Sequence, residues 1–284
     1  MHIENHIEKH LSKRVVNKIS IGTGIFQAYK VELNSGDCVF IKYQQKSDNS
    51  LINEAKELKL LGNTVNTPEV LGCCEHCLIL HWIEESYNPN KQSQMGYQLA
   101  KLHKNTGKYF GFSFDNKIGK TEQLNAVGKN INNWPDFFWE YRILYQIEMA
   151  YENKLLSQKH YLEIMPIKNL LGEILSDDIK PSLIHGDLWS GNTISDKNNT
   201  YFIDTASYYG HREIDFALTF MFGGFNKDFY LTYNEEFPFE DGFENRKPLY
   251  MLYHYLNHLN IFGSSYSSGV IKCINKIRST YRLN

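Results

Sequence analysis

Residues 184–193 read Ile-His-Gly-Asp-Leu-Trp-Ser-Gly-Asn-Thr. An apolar residue gives way to polar and small residues with a single tryptophan among them, which suits a loop that carries chemistry better than a core strand. Asp187 and Asn192 stand five positions apart behind His185 and Gly186. An isolated His-Gly-Asp is equally a turn with a capping aspartate, so its meaning depends on the rest of the chain. Downstream, Tyr201-Phe202-Ile203-Asp204 reads as an apolar strand ending in one carboxylate.

The N-terminal part supplies the missing pieces. Gly22-x-Gly24-x-Phe26 lies between two strand-like runs, where glycines let a backbone approach phosphates closely. Alone it is also an ordinary glycine hairpin. Lys42 ends Val39-Phe40-Ile41-Lys42 in the β-rich run Cys38–Tyr43, and a lysine at a buried strand end needs an anion. Glu54 falls on the apolar stripe of a helix over 49–61 with Leu51, Ala55 and Leu58, whereas Glu57 falls off it. A carboxylate on a buried face is costly unless paired, so the expected pair is Lys42–Glu54, holding the lysine toward nucleotide phosphates. The plainer reading is a solvated lysine and a helix-rim glutamate. The ordered set of glycine loop, Lys42, Glu54, Asp187, Asn192 and Asp204 favours phosphoryl transfer. Asp187 orients a hydroxyl nucleophile, and Asn192 and Asp204 offer hard oxygens to Mg2+. Trp82 and Glu84, where the strands give way to helices, are placed with Gly22, Gly24, Lys42 and Glu54 as nucleotide-binding residues. Asp215 is open between a helix-surface carboxylate and an acceptor for the backbone of the His185–Asp187 loop.

Bulk properties agree. The chain has 284 residues, 22% charged and 42% hydrophobic, with a net charge of -2. No surplus of Lys and Arg points to a nucleic-acid partner. No apolar run is long enough for a membrane span, and no signal peptide is read at the start. The five cysteines are expected as reduced thiols in a cytoplasmic protein. Cys73, Cys74 and Cys77 cluster beside His76, but no second ligand pair follows, so buried or half-buried thiols are expected rather than a zinc knuckle.

Residues 1–12 suit a short amphipathic helix, and 15–43 suit strands, with a turn at Asn34-Ser35-Gly36-Asp37. Further strands are expected at 69–74 and 77–82. Helices are expected over 91–105, 136–152, 158–175, 212–222, 245–262 and 267–279, with short strands at 182–185, 192–196 and 200–204. The boundary between the β-rich and helical parts falls near 82–90, giving units of 1–84 and 85–284.

With these residues in place, the chain resembles the fructosamine/ketosamine-3-kinases, relatives of aminoglycoside and choline kinases. His185-Gly186-Asp187-Leu188-Trp189-Ser190-Gly191-Asn192 is similar to the family signature, and Trp189 separates it from aminoglycoside phosphotransferases. Tyr208-Tyr209-Gly210-His211-Arg212-Glu213-Ile214-Asp215, Phe222–Phe225 and Leu249–Asn260 also resemble family segments, with weaker matches at Gly111-Phe112 and Trp134–Arg142. The resemblance implies an α+β, bilobal protein-kinase-like fold: a small antiparallel-sheet lobe with one main helix, and a larger helical lobe. It implies ATP- and Mg2+-dependent phosphorylation of the 3-hydroxyl of ketosamines, on glycated small amines or glycated protein lysines, by a monomer or homodimer. The unstable product releases the amine, a deglycation step. Trp189 and Tyr209 are expected to contact substrate; His185, Asp215 and Arg212 are expected to support the catalytic loop. Two departures stand out: Asp204-Thr205-Ala206 replaces the usual Asp-Pro-Ala, and Ile25-Phe26 replaces polar residues in the glycine loop. His254 and His258, at helical spacing, are expected to be structural. The rivals are a kinase of another small hydroxyl compound, such as an aminoglycoside or amino alcohol, and a pseudokinase. Glu235, Glu236, Glu240, Asp241 and Glu244 suit a polycationic aminoglycoside, whereas the intact catalytic set argues against a pseudokinase.

Overall fold

The computed structural model describes residues 3–176 and 178–282. Helix α1 (Ile3–Leu11) buries Ile3 and Ile7, one turn apart, together with His6. Strands β1 (Val15–Thr23), β2 (Gln27–Leu33) and β3 (Cys38–Tyr43) follow, then α2 (Ser50–Gly62), β4 (Val70–Cys74) and β5 (Cys77–His81). The five strands form one antiparallel sheet in the order β1-β2-β3-β5-β4.

Alternation along the strands gives this sheet two buried faces. Val39, Ile41, Cys77 and Ile79 pack under α1. Phe40, Leu78 and Leu80 face the other way, toward Leu51, Ala55 and Leu58 of α2. Lys42, three residues beyond Val39, takes the α2 side and meets Glu54 there. The sheet ends at His81, and α3 (Lys91–His103) begins the helical part.

Beyond it come a small hairpin, β6 (Asn116–Ile118) and β7 (Thr121–Gln123), then α4 (Trp134–Phe138) and α5 (Tyr145–Glu152). A π-helical stretch, Trp139–Leu144, joins those helices and aims the buried Arg142 at Leu124 O, Tyr141 O and Asn125 Oδ1. Next are α6 (Gln158–Ile164), α7 (Leu171–Ile174), β8 (Ser182–Ile184), β9 (Thr193–Ser195), β10 (Thr200–Phe202) and β11 (Tyr208–Gly210). Helices α8 (Phe216–Phe222), α9 (Lys227–Glu236), α10 (Phe243–Phe262) and α11 (Ser267–Thr280) complete the chain. The main core is built around Trp134, Phe137, Phe138 and Trp139 against Leu249, Leu252, Tyr253 and Leu256 of α10. No helix among the described residues is long and apolar enough to cross a membrane.

The hairpin β6–β7, strand β11 and helix α9 are additions to the sequence reading. Helix α9 buries Phe229 and Tyr233, one turn apart, and Asn226 caps its first turn by accepting from the Asp228 N–H at 2.8 Å. The stretch expected as one helix over 158–175 is broken into α6, a 3-10 segment around Pro166 and α7.

Candidate active site

A cleft of about 590 Å³ lies between the sheet and the helical part. Gly22, Gly24, Phe26, Lys42, Glu54, Asp187, Trp189, Asn192 and Asp204 all line it, although they come from distant parts of the chain. Lys42 Nζ donates to Glu54 Oε1 and to Asp204 Oδ1, both at 2.6 Å. Burial works against the lysine's charge, but the Asp204 and Glu54 carboxylates outweigh it and raise its pKa. Lys42 is therefore a fixed cation at the back of the cleft, joining β3, α2 and the Asp204 turn.

Asn192 closes the carboxylate pair. Its Nδ2 donates to Asp187 O at 2.8 Å, Asp187 Oδ2 at 3.0 Å and Asp204 O at 3.2 Å. With the amide nitrogen so engaged, Oδ1 is its atom able to serve a cation. The Asp204 side chain is 46% exposed to the cleft. The donor set of carboxylate and amide oxygens fits a hard divalent ion such as Mg2+. Asp204 sits at φ +53°, a left-handed conformation that non-glycine residues seldom adopt. Desolvation in the cleft, assisted by the nearby Asp204 and Asp215 charges, pushes the Asp187 carboxyl up to about 7.

The loop that presents Asp187 is held by Asp215. Its Oδ2 accepts from the His185 N–H and its Oδ1 from the Gly186 N–H, each at 2.8 Å. His103 Nε2 donates to Oδ2 at 3.0 Å. Burial alone would raise the Asp215 carboxyl; the donors, His103 foremost, outweigh it and hold it below its usual value. His185 donates from Nε2 to Ile203 O at 3.1 Å, while its Nδ1 accepts from the Asp187 N–H at 3.2 Å. Gly186 lies at φ +84°, and a Cβ there would stand 1.9 Å from Ala206 O. A side chain at this position is excluded both by conformation and by space.

Several expected residues are placed differently. Tyr209 does not line the cleft; it borders a separate groove with Gly107 and Phe112, its ring pressed against Gly107. As a β11 residue it points away from its neighbour Tyr208, which is buried in the main core. Trp82 and Glu84 do not line the cleft either: Glu84 accepts from Trp82 Nε1 at 2.7 Å and pairs with Lys30 at 3.1 Å, and Lys30 covers the Trp82 ring. Arg212 holds residues 237–238 through their carbonyls and stacks on Phe237. It reaches the catalytic loop only at a distance, donating to Tyr233 OH, which contacts His103 Nδ1 at 2.8 Å. Glu57, expected off the buried stripe, is 2% exposed. It accepts from Asn116 Nδ2, Thr205 Oγ1 and the Ser207 N–H at 2.8–2.9 Å. His254 is buried as a structural residue, but His258 lines the cleft.

Residues absent from the sequence reading complete the site. His103 stands one turn after Leu99 on the buried stripe of α3, a spacing that marks it. Phe222, His258, Phe262 and Tyr266 form an aromatic wall beside Trp189. The acidic run after residue 225 lies elsewhere: Glu236 pairs with Lys104, Glu240 approaches Arg212 and His211, and Glu244 pairs with Lys247. The acids lining the cleft are Glu54, Glu57, Asp187 and Asp204.

A family model described as fructosamine kinase matches residues 1–280. Among curated proteins, an Oryza sativa japonica chloroplastic protein-ribulosamine 3-kinase is 34% identical over 92% of this chain and 78% of its own. A Vibrio vulnificus protein assigned as a ketoamine kinase is 36% identical over 96% of this chain and 93% of its own. A crystal structure from Thermobifida fusca assigned as a fructosamine-3-kinase superposes with a TM-score of 0.90 at 27% identity, covering 98% of both chains. The aminoglycoside phosphotransferase APH(2'')-Ib, solved with ADP, superposes with a TM-score of 0.61 at 18% identity over 96% of both chains, a likeness of fold.

Proposed function

Because the chain belongs to the fructosamine kinase family, we propose that it transfers the γ-phosphoryl group of ATP to the 3-hydroxyl of a ketosamine, starting deglycation. The observation that carries this reading is the convergence of Lys42, Asp187, Asn192, Asp204 and Trp189 on one cleft. In a protein-kinase-like fold, Lys42 is placed to neutralise the nucleotide phosphates, and its two carboxylate partners keep it charged and aimed. Asp204 and Asn192 would hold Mg2+, which would supply charge neutralisation on the phosphates.

Asp187 orients the acceptor hydroxyl in line and takes its proton as the new P–O bond forms and the bond to the leaving ADP oxygen breaks. Its raised pKa suits that task, since a base near neutrality is both ionised and able to accept a proton. Trp189, 40% exposed, offers an aromatic face to the C–H face of a sugar. A Cβ on Gly191 would stand 2.1 Å from the Trp189 ring, so the glycine allows the indole to lie against the loop. Glycated small amines or protein lysines are the acceptors this cleft suits. The placement of the 235–244 acids outside it weighs against a polycationic antibiotic.

The test is a panel of ribulosamine, erythrulosamine and fructosamine adducts of lysine, with ADP release measured and the phosphate position assigned by NMR. A 3-phosphate on at least one adduct is expected. Faster turnover of kanamycin than of every adduct, or no transfer despite nucleotide binding, would overturn the proposal.

A further inference from the structure

The sheet face turned away from Lys42 carries a cluster that phosphoryl transfer does not use. Cys74 and Cys77 are register partners across the β4–β5 hairpin, so both side chains leave the sheet on the α1 side. Cys73, one residue earlier, faces α2 instead. Alternation thus separates Cys73 from the other two, and a residue remote in sequence takes its place. His6, brought down by α1, sets Nδ1 3.5 Å from Cys74 Sγ. The two sulfurs are 3.3 Å apart, and all three ligand atoms lie within 4.8 Å of one another.

We propose that His6, Cys74 and Cys77 bind one Zn2+ ion, which staples α1 to the β4–β5 hairpin. Tetrahedral Zn2+ with Zn–S near 2.3 Å and Zn–N near 2.0 Å separates its ligand atoms by roughly 3.5–3.8 Å. The Nδ1–Sγ spacing matches that edge length, and the Sγ–Sγ spacing is a few tenths of an ångström shorter. Two thiolates and an imidazole form a soft donor set that zinc takes readily. Cys74 is half-buried and Cys77 is buried.

His6 supplies an independent reason. Its side chain belongs to a residue only 4% exposed, and its Nε2 has no hydrogen-bond partner. A thiol is a weak partner for the other nitrogen, which leaves a buried imidazole under-satisfied. A metal bond at Nδ1 replaces that weak thiol contact with a strong one. Binding forms two Zn–S bonds and one Zn–N bond, releases the Cys74 and Cys77 thiol protons to solvent, and leaves the His6 proton on Nε2.

The experiment uses full-length protein, purified under reductant and stripped with a chelator. Co2+ titration is expected to raise a sulfur-to-cobalt charge-transfer band that saturates at one equivalent and is displaced by Zn2+. Zn2+ is expected to raise the melting temperature. Cys74→Ser and His6→Gln should each weaken binding by at least about tenfold, while Cys73→Ser keeps it, and ketosamine kinase turnover of the Cys73→Ser protein stays unchanged. Absence of the band in folded wild-type protein, or a band that survives either Cys74→Ser or His6→Gln, would sink the proposal. So would a Cys74–Cys77 disulfide that forms on removal of reductant despite excess Zn2+.

Discussion

The two loops that meet at the cleft are built on opposite plans. The loop from His185 to Asn192 is tied at several points: Asp215 receives two of its backbone N–H groups, His185 reaches Ile203, and Asn192 bridges to Asp204. The glycine loop between β1 and β2 has one internal backbone bond, Gly24 N to Phe26 O at 3.2 Å, and Ile21 and Ile25 stand 45% and 47% exposed. The first geometry is fixed before any ligand arrives, which is what a proton-accepting carboxylate needs. On the proposed mechanism, the second leaves its backbone donors open to phosphate oxygens. Pre-organisation is concentrated where an ångström decides turnover, and it is relaxed where the nucleotide itself can complete the structure.

Substitutions in the rigid loop should have the largest effects. Asp187→Asn removes the proton acceptor while keeping its shape, so kcat should fall by about 10²–10⁴-fold, with nucleotide affinity measured by calorimetry largely retained. Near-normal kcat would remove Asp187 from the chemistry. Gly186→Ala touches no ligand, yet its Cβ would meet Ala206 O at 1.9 Å. Displacing the loop should cost about 10²-fold in kcat and lower the melting temperature as well. His103→Phe acts one step further out by stripping Asp215 of a donor. It should destabilise by about 1.5–3 kcal/mol, the worth of a hydrogen bond to a charged group, and reduce kcat by roughly an order of magnitude.

The pH dependence separates the chemistry of the rigid loop from its stability. The Asp187 carboxyl is raised to about 7, and it acts when ionised, so kcat/KM should rise with pH and level off above that value. The linkage runs the other way for folding. A carboxyl whose folded pKa exceeds its unfolded value contributes stability that is full below the unfolded pKa and lost as pH rises through about 7. Substrate-free Asp187→Asn should therefore melt higher than wild type at pH 8 and lose that advantage toward pH 4. Equal melting curves across this range would show that the cleft does not desolvate Asp187.

The parts of this site readable from sequence are those whose signal is local. Asp187, Asn192 and Asp204 stand on short strands and turns within one stretch, and Glu54 shares a helical stripe with Leu51 and Leu58. Glu57 escaped because α2 is buried on two sides. One side packs on the sheet, and the other meets the β6–β7 hairpin, whose Asn116 donates to Glu57 and accepts from Gln123 and Asn125. That hairpin has three-residue strands with polar buried positions, so neither its periodicity nor its hydrophobicity announces it. The Thr205 hydroxyl donates to the same Glu57. The cost of a wider stripe is visible in Glu57 itself, which burial pushes up to about 8 against three donors. The position of Tyr209 is not readable from sequence because adjacent strand residues face opposite ways: Tyr208 enters the main core and Tyr209 the groove beside Gly107, so neither lines the cleft.

The smallest effect should come from the glycine loop. A Cβ on Gly24 meets nothing within 4 Å, so Gly24→Ala has no clash inside the protein itself. Its penalty has to come from the nucleotide, through a backbone held slightly further from the phosphates. KM for ATP should rise by no more than about threefold to tenfold, with kcat nearly unchanged and the melting temperature of the substrate-free protein within about a degree of wild type. The pairing with Gly186→Ala is the discriminating measurement, because the same added methyl is tried in a loop packed in advance and in a loop left open. If Gly24→Ala instead lowers kcat and stability as Gly186→Ala does, the glycine loop is pre-set by contacts within the protein. The nucleotide then binds a finished site on both sides of the cleft.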